Sequence, residues 1–352
     1  MIHTIRAISQ QLVSTLFEKA KDIVSWMGAI QAQDYNMCKW ATGIRLKSAT
    51  ISDMECALAK GEILRTHIMR PTWHLVADED ICWMLELCRE KIKAASASRD
   101  KYLEITEKLF SRTNCLIAKM LEGNNHLTRR QIADNLNRAG IKTDTSRMIH
   151  FMYRAEAEGI VCSGADKEKQ QTYALISERV KSIKTLNKDE ALVKLATKYF
   201  QSHSPASLHD FNWWSGLSIS DCRHAIYLID NNLIKEKTSI ASALFIHDSL
   251  DIKSTFDDYI CLLPSFDEFL ISYKNRDAVI NINDQCKAFT KNGIFHPTVM
   301  HNGKIAGTWK RTVIKDKVEI KVSLFDEKSG IDTGLLEKAK NKYLSFISLT
   351  KQ

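Results

Sequence analysis

No stretch of this sequence is apolar for long enough to cross a bilayer. The longest nearly unbroken run, around Ile23 to Ile30, falls well short of the roughly 20 residues a spanning helix needs. The N-terminus, MIHTIRAISQQ, lacks the apolar core of a secretory leader. Both absences point to the cytoplasm. The nine cysteines, scattered from Cys38 to Cys286, include no C-x-x-C pair. An odd number at irregular spacing argues against a disulfide framework and a zinc ribbon, and for reduced, mostly buried thiols. There is no P-loop, dinucleotide fingerprint, H-E-x-x-H or G-x-S-x-G. Neither a cofactor nor a metal is expected.

What is present is the composition of an ordinary globular chain, 44% hydrophobic and 26% charged over 352 residues, a length that suggests two or three units. The net charge is +8 and the isoelectric point about 8.9. The excess is uneven: Met300 to Gln352 hold 11 Lys+Arg against 6 Asp+Glu. A basic C-terminal face suits an anionic polymer, and suits equally a solvated lysine-rich surface.

Punctuation along the chain suggests a repeated unit of short helices followed by a β-hairpin, the winged helix. It is clearest over Asn114 to Val180. Cys115 to Leu121 has helical apolar spacing, Thr128 with Gln131 makes a capping box, and Gly140 stops the helix. A second helix follows Asp144 or Thr145 and ends at Gly159. Strands at Ile160–Cys162 and TYALI then flank the polar tip SGADKEKQQ. Ser146, Arg147, His150 and Arg154 share one face of the second helix, opposite Met148, Met152 and Ala155. A basic, hydrogen-bonding stripe of this kind is what entry into a DNA groove requires, and it is also what any exposed amphipathic helix offers.

A further copy lies between Asp189 and Lys237, with S-x-x-D helix starts at Ser207/Asp210 and Ser218/Asp221. Ile226, Leu228, Ile229, Leu233 and Ile234 close it, and Trp213 and Trp214 read as core or interface. Near the N-terminus, Ser52 with Glu55 suggests another capping box, Gly61 a stop, and ILRTHIMR with TWHLV a hairpin turning at Arg70-Pro71-Thr72. Beyond residue 250 the character changes. Asn302-Gly303 and Lys315-Asp316 mark tight turns, KVEIKVSLF alternates as a half-buried strand, and a last helix begins near Asp332. The expected fold is mainly α with β-hairpins (α+β): winged-helix units over 1–110, 111–185 and 186–250, then a small β-rich α+β domain over 251–352.

Candidate chemistry lies in polar residues set among apolar ones. Gln31-Ala32-Gln33-Asp34 follows IVSWMGAI directly. Residues two apart share a side only on an extended backbone, so a common role for Gln31 and Gln33 requires extension, with Gly28 breaking the preceding helix. Arg65, His67, Arg70, Thr72 and His74 cluster on the N-terminal hairpin, with Arg65 and His67 sharing a strand face, as do Thr72 and His74. The two histidines read equally as structural groups beside a wet turn.

The segments M-G-A-I-Q-A-Q-D, R-T-H-I-M-R-P-T-W-H-L-V, F-N-W-W-S-G-L, L-L-P-S-F-D-E-F-L-I-S-Y-K-N-R and G-K-I-A-G-T-W-K-R run in order along nearly the whole chain. Together they resemble the winged-helix DNA-binding family of bacterial alkylpurine DNA glycosylases, the azinomycin-resistance type. The resemblance implies three tandem winged helices and a β-rich domain around duplex DNA. It maps the family's Q-x-Q active-site motif onto Gln31 and Gln33. It also implies excision of purines alkylated at N7, including unhooking of interstrand crosslinks. The expected partner is double-stranded DNA, alkylated or crosslinked, bound by a monomer without a membrane. Arg65, His67, Arg70, Thr72, His74, Ser146, Arg147, His150, Arg154, Lys310 and Arg311 are the candidate DNA contacts. Pro71 stands where the family pattern has glycine, which leaves the shape of that turn open.

The chemistry is compatible with amides. A purine alkylated at N7 is cationic and leaves as a neutral base, so the demand on the protein is orientation and electrostatics. A glutamine oxygen can accept a hydrogen bond from water and fix its place. Asp34 is the carboxylate alternative. The competing reading is a non-catalytic winged-helix DNA-binding protein such as a transcriptional regulator, which has no reason to keep Gln31-Ala32-Gln33 in an apolar segment.

Overall fold

The computed structural model describes residues 1–181, 183, 185–236, 243–251, 256–314, 317–326 and 330–348. The turn expected at Lys315-Asp316 lies outside them. The fold is mixed, with helices in the majority and small antiparallel sheets. The chain divides into two compact units, Met1–Glu55 with Leu192–Gln352, and Cys56–Ala191. The division falls inside the stretch 1–110.

The first unit begins with α1 (Ile2–Ser9), α2 (Ala20–Met27), the short strand β1 (Ile30–Gln31) and α3 (Tyr35–Gly43). Next, α4 (Ile51–Lys60) starts where Thr50 and Asp53 hydrogen-bond reciprocally: Thr50 N donates to Asp53 and Asp53 N to Thr50 Oγ1. The cap is therefore Thr50/Asp53, two residues ahead of the expected Ser52/Glu55. Both pairs have the required spacing, and the helix takes the earlier one.

In the second unit, β2 (Ile63–Ile68) and β3 (Thr72–Ala77) form a hairpin around Met69, which has φ 58. There follow α5 (Ile81–Tyr102), α6 (Glu107–Leu121), β4 (Leu127–Thr128), α7 (Arg129–Arg138), α8 (Thr145–Ala157), β5 (Val161–Ser163), β6 (Thr172–Leu175) and α9 (Ile176–Arg179). The Thr128/Gln131 capping box is present, and Gly140 and Gly159 both have positive φ. α6 is twice the length its apolar core suggested. Phe110, Ile117, Leu121, Ile132, Leu136, Met148, Phe151, Met152 and Ala155 build one core under the sheet β4-β6-β5.

The chain returns through α10 (Lys188–His203). β7 (Ala206–Ser207), α11 (Leu208–Ser215), α12 (Ile219–Leu228), β8 (Leu233–Glu236) and β9 (Leu244–His247) follow, with sheet order β7-β9-β8. Ile226, Ile229 and Leu233 are buried as expected, but Leu228 and Ile234 are exposed. The last group holds β10 (Ile260–Leu263), α13 (Glu268–Ile271), α14 (Gln285–Ala288), β11 (Thr298–His301), β12 (Lys304–Ile314), β13 (Lys317–Leu324) and α15 (Thr333–Ile347). Asn302 and Gly303 both have positive φ, 50 and 78, as a two-residue hairpin turn demands. β13 alternates exposed and half-buried residues along its length. Trp40 and Trp309 anchor this sheet, each donating its indole N–H at 2.7 Å to a β10 carbonyl, Leu262 and Leu263 respectively. Of the nine cysteines, all free, Cys38, Cys88, Cys162, Cys222 and Cys261 are buried.

Candidate active site

The glutamine segment owes its shape to Gly28. α2 stops there at φ 75 and ψ −53, and a Cβ would meet the Trp214 ring at 3.3 Å. A residue with a side chain is strained in that backbone and crowded in that space. From Gly28 the chain runs extended through β1, with Ala29, Ile30 and Ala32 packed in the core. Gln31 is buried at 4% exposure, whereas Gln33 is exposed where the chain bends ahead of α3. The expected extension therefore holds through Gln31 and gives way at Gln33.

Asp34 ends the bend as the N-cap of α3. Its Oδ1 accepts from the backbone N–H of Asn36 at 3.1 Å and of Met37 at 3.0 Å, and its Oδ2 accepts from Ser265 Oγ at 3.1 Å. The carboxylate competitor is committed to structure.

Behind Gln31 lies a polar group that inspection of the sequence did not single out. The Gln31 N–H donates to Oε1 of Glu268 at 2.6 Å, and Glu268 is fully buried. Its other oxygen accepts from Ser272 Oγ and lies 3.8 Å from His203 Nε2. Burial lowers the His203 imidazole against the opposing pull of Glu268. The neighbouring Asp267 holds Arg45 through two bonds, 2.7 and 2.9 Å, with both side chains buried. Burial by itself would lower the Arg45 guanidinium; Asp267 outweighs it and the net shift is upward. Arg45 also donates to Gln10, and Gln10 to Tyr273, at 3.0 and 3.1 Å. The signal in the sequence was Asp267-Glu268 itself, two acids inside the apolar run ICLLPSFDEFLI.

In the second unit, the register His67↔Trp73 and Arg65↔Leu75 places Arg65 and His67 on one face of the β2–β3 hairpin, and Thr72 and His74 on the other. Arg65 is buried, with its guanidinium 3.9 Å above the Trp73 ring and its Nη1 donating to Gln171 at 2.8 Å. His67 packs on Trp73 and hydrogen-bonds to Glu156, a fully buried carboxylate also absent from the expected set. His74 is buried, its Nδ1 2.9 Å from the Thr72 carbonyl. Arg70 and Thr72 are half-buried at the turn.

The α8 stripe is not an open basic face. Arg154 is only 6% exposed, bound by Glu107 through bonds of 2.8 and 2.9 Å, and stacked over Phe110 at 4.0 Å. His150 bonds to Asp100, and Arg147 donates to the carbonyls of Lys142 and Leu103. Ser146 is half-buried. Helical periodicity grouped these side chains correctly, but α5 and α6 supply the acids that engage His150 and Arg154, and the chain just after α5 and just before α8 supplies the carbonyls that engage Arg147. In the first unit, Arg311 donates to the Tyr343 hydroxyl. Lys310 is exposed and stands directly opposite exposed Lys321.

The DNA glycosylases are the class to which a family match assigns this chain. The family model described as DNA glycosylase AlkZ-like matches residues 24–346, and the chain belongs to that family. A curated relative from Streptomyces sahachiroi, described as an interstrand DNA cross-link repair glycosylase, is 21% identical over 332 residues, 91% of this chain and 88% of its own length. A solved structure of the Streptomyces sahachiroi DNA glycosylase AlkZ superposes with a TM-score of 0.80 at 17% identity, covering 98% of this chain and 97% of that one. Among the described residues no helix is long and apolar enough to cross a membrane.

Proposed function

We propose that this DNA glycosylase hydrolyses the N-glycosidic bond of purines alkylated at N7 in duplex DNA, with Gln31 and Gln33 placing the attacking water, and that it unhooks interstrand crosslinks. The observation carrying this reading is the division of labour within Gln31–Asp34. The carboxylate is consumed by capping α3, one amide sits in a buried strand, and the other is exposed beside it. A cationic base needs no acid to depart, so two amides and a water meet the chemical demand.

A base tied to the opposite strand cannot swing fully out of the helix, so an enzyme acting on crosslinks must work from a groove. Exposure of Gln33 at a bend suits an open site. The sets α6–α8 with β4-β6-β5 and α10–α12 with β7-β9-β8 support reading residues 111–185 and 186–250 as winged helices, with 1–110 as a third and 251–352 as the terminal domain. Arg70, Thr72, His67, Lys310 and Arg311 are the proposed backbone contacts. Arg65, His74, Ser146, Arg147, His150 and Arg154 complete the proposed DNA-binding set, although Arg65, His74 and Arg154 are buried and Arg147, His150 and Arg154 already hold protein partners. The Lys310–Lys321 pair adds an argument of its own: like charges directly opposite on two strands repel, and a polyanion relieves that repulsion. The protein acts as a cytoplasmic monomer in this reading.

Incubation with a duplex containing N7-methylguanine, followed by alkaline strand scission, is the test. Enzyme-dependent cleavage at the lesion is expected. DNA binding without abasic sites would return the chain to the non-catalytic alternative.

A further inference from the structure

We propose that Glu268 is a positioning residue for the Q-x-Q motif, holding the Gln31 peptide so that the amide side chain is aimed at the reacting sugar; this rests on the assignment of Gln31 to the site. A carboxylate with no exposure is retained only where its bonds justify the loss of water. Helix capping does not justify it here, because Asp267 already caps α13, accepting from the Phe269 N–H at 2.9 Å. What Glu268 does instead is cross 237 positions of sequence to grip the Gln31 N–H at 2.6 Å, a charge-assisted bond.

The grip is braced from the other side. Ser272, one turn along, donates to Oε2, and His203 stands 3.8 Å from the same oxygen. The His203 ring is itself fixed, 2.7 Å from Ser202 Oγ and stacked on Tyr199 with planes 11° apart. β1 is two residues long, so few ladder bonds fix its orientation. Holding the strand through its peptide N–H sets the direction in which the Gln31 side chain leaves the backbone and does not require that side chain as a ligand.

Single-turnover excision from an N7-methylguanine duplex, with full-length protein, separates this role from a merely structural one. Circular dichroism counts folded enzyme, and the rate constant at saturating enzyme reports the site. Glu268→Ala is expected to lower the rate constant by about 10²-fold, the order of loss when a reacting group is misplaced by an ångström. Glu268→Gln keeps an acceptor and is expected to lose about tenfold, with Ser272→Ala showing a smaller loss of the same kind. DNA affinity should be unchanged. Combined with Gln31→Ala, either Glu268 variant should add almost nothing further, because Glu268 acts through Gln31. A reduced folded fraction with a wild-type rate constant, or full additivity with Gln31→Ala, overturns the proposal. Gln31→Ala excising by itself at the wild-type rate overturns the glutamine assignment and this inference with it.

Discussion

Asp34 and Gln31 show how two polar side chains three residues apart come to different uses. Asp34 spends both oxygens on the start of α3 and on Ser265, whereas Gln31 is anchored through its backbone. Replacing Gln31 or Gln33 with Ala should leave DNA affinity nearly intact, since neither side chain is charged, and slow excision by about 10²–10³-fold, the scale of losing one preorganised hydrogen bond at a reacting centre. Single-turnover rates beside equilibrium binding check this. Asp34→Ala should instead lose about 0.5–2 kcal/mol of stability as a lost helix cap, and Asp34→Asn, itself a good cap, much less. Thermal melting separates the pair. A large loss of rate in a stable Asp34→Asn would make the carboxylate the base after all.

At the scale of elements, the junction of α2 with β1 and the hairpin β12–β13 make opposite demands. The junction needs a backbone that only glycine adopts readily. Gly28→Ala is expected to destabilise by about 1–3 kcal/mol through backbone strain, before any displacement of the Trp214 ring. Because β1 starts two residues later, excision should fall with it, which the rate per folded molecule measures. The hairpin carries a like-charged pair. Lys310→Ala and Lys321→Ala should each weaken DNA binding at every sequence and reduce the salt slope, of about 0.9 per neutralised phosphate, by roughly one contact. Relief of the repulsion should leave the melting temperature unchanged or raised. Wild-type salt slopes in both variants would remove this hairpin from the DNA contact.

For the whole molecule, the basic excess predicts DNA affinity falling steeply with salt, and the buried polar network predicts a pH dependence of stability. Burial lowers the His203 imidazole from 6.5 against the pull of Glu268, so the unfolded chain takes up the proton at higher pH than the folded one. Stability from keeping His203 neutral is complete above the unfolded value and is lost as pH falls towards the lower folded one. The melting temperature should accordingly drop as pH falls below the unfolded value of about 6.5. A His203→Gln variant, whatever its absolute stability, should show a shallower drop; an unchanged slope would place the proton uptake elsewhere.

The features the sequence determined alone are those whose physics is local. The Thr128/Gln131 and Ser207/Asp210 boxes, the Asn302-Gly303 turn, the alternation of β13 and the break at Gly28 each follow from groups within a few residues of one another. Even locally, the expected Ser52/Glu55 cap gave way to Thr50/Asp53, two residues earlier at the same spacing. Family membership was legible because the motif segments occur in order along the chain, but the state of each candidate site residue was not. Periodicity could group Arg147, His150 and Arg154 without showing that Asp100, Glu107 and the Leu103 carbonyl engage them. Strand alternation could pair Arg65 with His67 without supplying Trp73 and Glu156 beneath. Glu268 under Gln31 and Asp267 on Arg45 come from positions more than two hundred residues away. A buried charge takes its partner from whatever the packed chain brings within hydrogen-bonding reach, and only the tertiary structure decides which group that is.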